Sequence, residues 1–310
     1  MGRPREASLR CMVVVPFYAD VPLLRTALDS LLAQTDADWV GVVIDDSPLD
    51  AGLAIEVAQL VDGVADVRLT RLRNERNLGV APTFNRAFDV AAERAVDIVT
   101  IFHADDVLEP DYVATLRAAH AQFPDAACVA PNATVIDAAG RPVRPLPDRV
   151  KQWLWPRRRT ELAGERGLAL LLRGQFLYCP AVSYRMTAVR AQVVPRWSER
   201  WGQVMDLELY ARTVLAGGSI ALERRPVYRY RRHAGTTTER NSAGLVRTEE
   251  ETALCKALAA EATRKGWYRA ARAGRRRVTV RAQALVRLPA LLRARRWADA
   301  RRLARLALAP

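Results

Sequence analysis

The sequence predicts an α/β fold: a mostly parallel sheet with helices on both faces, followed by a C-terminal helical extension. Three observations carry that expectation. Through the first half, apolar runs rich in β-branched residues alternate with segments whose apolar residues recur at helical spacing. Those runs are apolar on both faces, as strands covered from two sides must be. From Leu245 onward the pattern is helical, with one break expected near Pro289.

In order, CMVVVPF (11–17), WVGVVIDD (39–46), DVRLTRL (66–72) and VDIVTIF (96–102) read as strands. VPLLRTALDSLLAQ (21–34), AGLAIEVAQLV (51–61) and VAPTFNRAFDVAAERA (80–95) are the helices between them. PDYVATLRAAHAQF (110–123) is a fourth helix, with Pro110 suited to its first turn. AACVAPNATVI (126–136) returns to extended structure, and the Pro- and Arg-rich residues 141–159 read as a long connection. ERGLALLLRG (165–174) is helical and YCPAVSYR (178–185) extended. VMDLELYARTVLAGG (204–218) is a helix stopped by its two glycines, and SIALERRPVYRYRRHAG (219–235) a strand and loop.

Charge is unevenly placed. Residues 256–310 hold sixteen Lys and Arg against Glu261 and Asp299, which is +14, the formal charge of the whole chain. The body before them is balanced, so it lacks the basic footprint of a nucleic-acid binder, and no nucleic-acid partner is expected. The tail suits an anionic membrane or an acidic partner. Its Arg and Leu positions after Pro289 are only partly segregated, which favours a packed hairpin with a basic surface over a deeply inserted helix. Cys11, Cys128, Cys179 and Cys255 are far apart, as buried thiols would be, with no metal or redox spacing. No signal peptide is read at the start. No run approaches about 18 apolar residues, so no spanning helix is expected. A dinucleotide fold would need a glycine-rich turn after the first strand, and a nucleotide-triphosphate loop would need GxxxxGK[ST]; PFYADVP and the rest of the chain have neither.

The stretch VTIFHADDVLEPDYV (99–113) carries the chemistry. An apolar strand ends in His103, Ala104, Asp105 and Asp106. Two adjacent carboxylates at a strand end are costly unless something positive sits there. A divalent cation held by oxygen ligands and by substrate phosphates would do so. Read alone, the pair fits equally well a cap on the following helix. Two other strand ends, PFY (16–18) and DD (45–46), carry groups that would converge on the same edge of a parallel sheet, where ligands of such sheets bind.

Six pieces, in order, resemble the family 2 glycosyltransferases of the GT-A fold. They are VVVPFYAD, VVIDDSPLD, NERNLGVAPTFNRAFDVA, IFHADDVLEPDYV, QVMDLELYARTVLAGG and YRYRRHAGTTTE, spanning about residues 11–240. The resemblance implies a GT-A domain over 1–244, with a nucleotide-binding half over about 1–140 and an acceptor half over about 141–244. A basic extension follows over 245–310. It implies that Pro16, Phe17 and Tyr18 flank the nucleobase, Tyr18 stacking on it, and that Asp46 hydrogen-bonds the base edge. Gly79 would admit the donor close to backbone, Asn85 would support that loop, and Ala104 would lie against the donor. Asp105 would hold Mn2+ or Mg2+ bridging the donor phosphates, with His103 as a further ligand or a hydrogen-bond partner of ribose or phosphate, and His233 as a second metal ligand or a phosphate contact. Asp106 would orient the loop or cap the helix, and Asp206 would be the general base that deprotonates the acceptor.

This chain departs from the family pattern at three places. His103 stands at the first position of the Asp-x-Asp motif, and Met205 where the family has Glu before the base. The Gln-x-x-Arg-Trp signature of processive polymerases is missing. The resemblance therefore implies an inverting, metal-dependent, nonprocessive transferase of a hexosyl or related sugar, working from a nucleotide diphosphate sugar. Its acceptor would be a glycan or lipid-linked hydroxyl in cell-envelope or exported glycan synthesis. The expected location is cytoplasmic, peripheral to the inner face of the cell membrane. The alternative is a non-catalytic nucleotide-sugar-binding or scaffolding protein that retains the fold; the replacements at His103 and Met205 favour it, and the presence of Asp105 and Asp206 opposes it. Glu208 is a nearby rival for the base. His120, mid-helix and without a partner in the sequence, reads as structural.

Overall fold

The computed structural model describes residues 9–47, 51–158, 160–232 and 245–308. Strands and helices alternate as the sequence leads one to expect: β1 (Cys11–Phe17), α1 (Val21–Leu32), β2 (Trp39–Asp45), α2 (Ala51–Gly63), β3 (Leu69–Arg73), α3 (Val80–Glu93) and β4 (Ile98–Ile101). Then come β5 (Val107–Leu108), α4 (Tyr112–Gln122), β6 (Cys128–Ile136), α5 (Leu146–Leu154), β7 (Glu161–Ala163) and α6 (Gly164–Leu171). β8 (Ser183–Arg185), α7 (Met186–Arg190), α8 (Met205–Leu215) and β9 (Ser219–Arg231) complete the body. The tail is α9 (Val246–Arg264), α10 (Tyr268–Arg276), α11 (Val278–Arg293) and α12 (Trp297–Leu308).

Two expectations are corrected. The connection over 141–159 contains α5, because its prolines start a helix rather than prevent one. Pro145 is the N-cap, Pro147 lies in the first turn, and Asp148 adds a carboxylate there. The break near Pro289 is absent, since α11 runs through it. Proline removes the bond to the carbonyl four residues earlier, which belongs to Leu285. Leu285 and Pro289 lie on the exposed side of α11, where solvent can replace that bond. The interruptions fall instead at Gly266 and at Arg277 and Arg295, all with positive φ.

The chain gathers into two compact units, the first comprising residues 1–143, 178–197 and 221–231. Its strands run in the order β3-β2-β1-β4-β8-β6-β9-β5. β3, β2, β1 and β4 are mutually parallel; β8 is antiparallel to β4, β6 to β8, and β5 to β9. Val13, Val15 and Phe17 of β1 pack with Leu24, Leu28 and Leu31 of α1, while Met12 and Val14 are buried on the opposite face. Burial on both faces is what the unalternating apolar runs require. The register sets Phe17 beside Asp45, so the ends of β1 and β2 lie side by side.

His120 is wholly buried, with Nε2 2.8 Å from Ser183 Oγ. Burial and then the Arg185 charge push its pKa down to about 3, so it is a neutral structural group. All four cysteines are free thiols, and burial pushes Cys11 and Cys255 up to about 12.

The second unit comprises residues 144–177, 198–220 and 232–310. Here the tail helices share a contact unit with α5, α6 and α8, a division that differs from one drawn at 244/245. α10 packs on α9 and α6, and α11 and α12 form a hairpin around Ala284, Leu291, Ala300, Leu303 and Ala307. Among the described residues no helix is long and apolar enough to cross a membrane.

Candidate active site

In the first unit the strand ends assemble a polar edge. At the end of β1 Pro16 is half-buried and Tyr18, just past the strand, is exposed; Phe17, expected to flank the nucleobase, instead turns into the core, because successive strand side chains point to opposite faces. Asp20 caps α1 by accepting from the Leu23 N–H at 3.1 Å. The Asp46 N–H donates to the Phe17 carbonyl at 2.8 Å, and the Asn74 N–H to the Asp45 carbonyl at 2.9 Å. These bonds carry the sheet one residue past its strands.

The Asp46 carboxylate is buried and accepts from four groups. Oδ1 takes Leu78 N–H at 2.7 Å and Asn74 Nδ2 at 2.6 Å; Oδ2 takes Gly79 N–H at 3.0 Å and Asn77 Nδ2 at 3.3 Å. Asp46 thus pins the loop 74–79 that leads into α3, and its charge faces that helix's N-terminus. Gly79, the N-cap, has φ 84 and ψ 177, a conformation nearly reserved for glycine. Asn85 in α3 exchanges two bonds with Trp197, giving Nδ2 to its carbonyl at 2.9 Å and taking its N–H at 2.8 Å. Neighbouring Phe84 packs edge-on against Trp197 and lies 5.7 Å from the His103 ring.

After β4 the chain turns on a bond from Asp106 N–H to the His103 carbonyl, 3.2 Å. The turn gathers one nitrogen of His103 and one oxygen each of Asp105 and Asp106 within 4.8 Å of one another. His103, Ala104 and Asp105 are half-buried and Asp106 fully buried. Asp106 accepts from Tyr228 Oη at 2.7 Å and from the Arg231 N–H at 2.6 Å. The Arg231 guanidinium gives Nε to the Asp105 carbonyl at 2.7 Å and further bonds to the carbonyls of Asp137 and Ala138. Of the two roles expected for Asp106, orienting the loop is the one seen; the N-cap position of α4 is Asp111. Burial first, and the charge of Asp105 second, push Asp106 well above the usual carboxylate range. An imidazole and two carboxylates form a donor set that suits Mn2+, and a cation there would offset the repulsion between the two acids.

In the second unit Asp206 opens α8, half-buried. Gln175 Nε2 donates to Asp206 Oδ2 at 3.1 Å, and the Leu207 N–H to Oδ1 at 2.8 Å. Gln175 is itself held, since Oε1 takes the Leu177 N–H at 3.1 Å, and Lys151 Nζ reaches the Leu177 carbonyl at 3.3 Å. Burial lowers the Lys151 pKa to about 8, against the pull of the Asp206 and Asp148 charges. Burial likewise raises Glu251, with the Asp206 charge adding to it. The rival Glu208 is buried and ion-paired with Arg212 one helical turn on, at 3.0 Å. That leaves Asp206 as the more accessible acid of the two.

His233 lies outside the described residues. Of the other expected residues, His103, Asp105 and Asp106 come together, as do the ends of β1 and β2 with Gly79. Tyr228, Gln175 and Lys151 join the site without a signal in the sequence. A tyrosine in YRYRR and a glutamine in RGQF carry no local mark of their partners 122 and 31 residues away.

The fold resembles that of solved glycosyltransferases. TarS from S. aureus in complex with UDP-GlcNAc superposes with a TM-score of 0.59 at 18% identity, over 82% of this chain and 66% of that one. TarS 1–349 gives 0.57 at 16% identity, over 82% and 65%. This chain therefore spans about two thirds of those TarS chains. Mannosyltransferase PcManGT from Pyrobaculum calidifontis, in complex with GDP-Man and Mn2+, gives 0.57 at 16% identity, over 98% and 87%. No curated protein matches the sequence significantly. At these identities the likenesses establish the fold, which is of GT-A type. Residues 12–187, more than half of the chain, match the family described as glycosyl transferase family 2, and the chain belongs to that family.

Proposed function

We propose that the chain transfers a hexosyl or related sugar, one unit per event and with inversion, from a nucleotide diphosphate sugar to a hydroxyl of a glycan or lipid-linked acceptor. The observation that carries this reading is the cluster of His103, Asp105 and Asp106 at the end of β4 in a member of family 2. The bound donors of the similar structures, UDP-GlcNAc and GDP-Man, favour a uridine or guanosine diphosphate sugar. Tyr18, exposed beyond β1, would stack on or flank the base beside Pro16, and Asp46 holds the neighbouring loop. Gly79 and Ala104 present no large side chain to the donor.

Asp105 and His103 would hold a divalent cation, Mn2+ or Mg2+, with His233 assigned as a further ligand by the resemblance. Such an ion would stabilise the negative charge of the departing diphosphate. Asp206 takes the acceptor hydroxyl proton as that oxygen attacks the anomeric carbon from the face opposite the leaving group. Gln175 fixes Asp206 Oδ2 and so aims the carboxylate. A role in envelope or exported glycan synthesis at the inner face of the cell membrane is consistent with the basic tail.

The test is a calorimetric screen of UDP- and GDP-sugars with and without Mn2+, followed by turnover of the donor that binds. Asp206→Asn is expected to lower kcat by about a hundredfold or more with donor Kd unchanged. Full activity of that variant overturns the base assignment; binding of no nucleotide sugar under any metal overturns the reading itself.

A further inference from the structure

The second unit carries a surface whose chemistry stands apart from sugar transfer. The inward face of α11 holds the buried Val280, Ala284 and Leu291, the last two packed on α12. A helix that faces water should be polar on its other side. Here that side is apolar too. Val278, Leu285, Val286 and Leu292 are exposed, Val286 to 70%, with Pro289 open among them. Val278, Leu285 and Leu292 recur every seven residues, and Pro289 follows Leu285 by four and Val286 by three, which keeps all five on one side of the helix. Arg281 and Arg287 stand between the two apolar faces, and Arg293, Arg295 and Arg296 crowd the helix end next to exposed Trp297.

α5 repeats the pattern. Leu146, Val150 and Trp153 follow at four and three residues, all exposed, Trp153 to 71%, and exposed Arg149, Arg157 and Arg158 accompany them. The two helices meet at Gly174. A Cβ there would lie 2.8 Å from Leu154 Cδ1 and 2.6 Å from Thr279 Cγ2, and Thr279 Oγ1 donates to the Arg173 carbonyl at 2.8 Å. The end of α5 and the start of α11 therefore touch one glycine, which makes the two helices neighbours in the unit.

Charge selects the occupant. Residues 256–310 carry sixteen basic groups against two acids. A second copy would bring the same cations to the same face, and like charges across an interface repel. A bilayer rich in anionic lipid satisfies both features, with headgroups for the arginines and acyl chains for the apolar side chains. Exposed Trp153 and Trp297 suit the boundary between the two. We infer that the outer faces of α11 and α5 dock the protein onto an anionic membrane surface, lying in the interface rather than crossing it.

The full chain is tested by co-sedimentation with vesicles of pure phosphatidylcholine and of an equimolar mixture with phosphatidylglycerol, at low and high salt. Binding to the mixed vesicles is expected to be at least about tenfold tighter and to weaken with salt. Leu285→Asp with Val286→Asp is expected to reduce it about tenfold or more, with circular dichroism unchanged because both positions are exposed. Arg293→Gln and Arg295→Gln should each reduce it about fivefold. Equal binding to both vesicles, or unchanged binding of the double Asp variant, overturns the inference. So does light scattering showing that the double variant dissolves a dimer, since the face would then be covered by a second copy. None of these readouts needs turnover, so failure here is separable from failure of the transferase reading.

Discussion

Asp46 offers a direct test of how the donor-side edge is built. The family resemblance gives its carboxylate to the nucleobase, whereas in the fold it accepts two backbone N–H groups and two side-chain amides of the loop 74–79. Asp46→Asn keeps the shape and replaces one oxygen with an NH2. Whichever way the amide turns, one backbone N–H loses its acceptor and one Asn amide loses a bond, and both face a donor. A buried donor left unsatisfied costs about 1–3 kcal/mol, and the remaining bonds lose their charge assistance. A local destabilisation of about 2–4 kcal/mol follows, which is roughly a 30- to 1,000-fold faster opening of the loop. Hydrogen exchange at the Leu78 and Gly79 amides reads this opening, alongside calorimetric donor affinity. Both should suffer together, because a loosened loop no longer presents Gly79. If those amides exchange at the wild-type rate while donor affinity falls, the carboxylate serves the base alone and the clamp carries no energy.

Three further outcomes are expected. His120 is held at about 3 in the fold against 6.5 in the unfolded chain, so between those values the unfolded state binds the extra proton; its share of stability is complete above 6.5 and is lost as pH falls toward 3. His120→Gln should therefore reduce the loss of urea stability between about pH 7.5 and pH 5 by about 2 kcal/mol relative to wild type, and an unchanged pH slope would refute neutral burial. Asp105→Asn should weaken Mn2+ binding, followed by electron paramagnetic resonance, at least about tenfold; equal affinity would remove Asp105 from the ligand set. Gln175→Ala should lower kcat about tenfold with donor KM unchanged, and Gln175→Glu should lower it further by setting a second carboxylate beside Asp206, whereas a change confined to KM would mean that Gln175 does not aim the base.

The legible parts of this molecule are those whose signal is local. β1, β2 and β4 announce themselves because each is buried on both faces, and the turn at His103 to Asp106 does so because acids at a strand end demand a reason. What holds those acids is not local. Tyr228 and Arg231 reach Asp106 across 122 and 125 residues, Gln175 reaches Asp206 across 31, and Asp46 finds its loop 28 to 33 residues on. No periodicity encodes such pairings. The prolines misled in both directions for one physical reason, that their effect depends on where they fall. Pro147 sits in a first turn with no hydrogen bond to lose, and Pro289 frees a carbonyl only on the exposed side of α11. The imperfect segregation of Arg and Leu in the tail has a structural cause as well. One helix bears two apolar faces, one closed by α12 and the other open, with arginines between them. A pattern of that kind averages out on a single helical wheel, and only the packed hairpin shows which face is left to meet a second apolar phase.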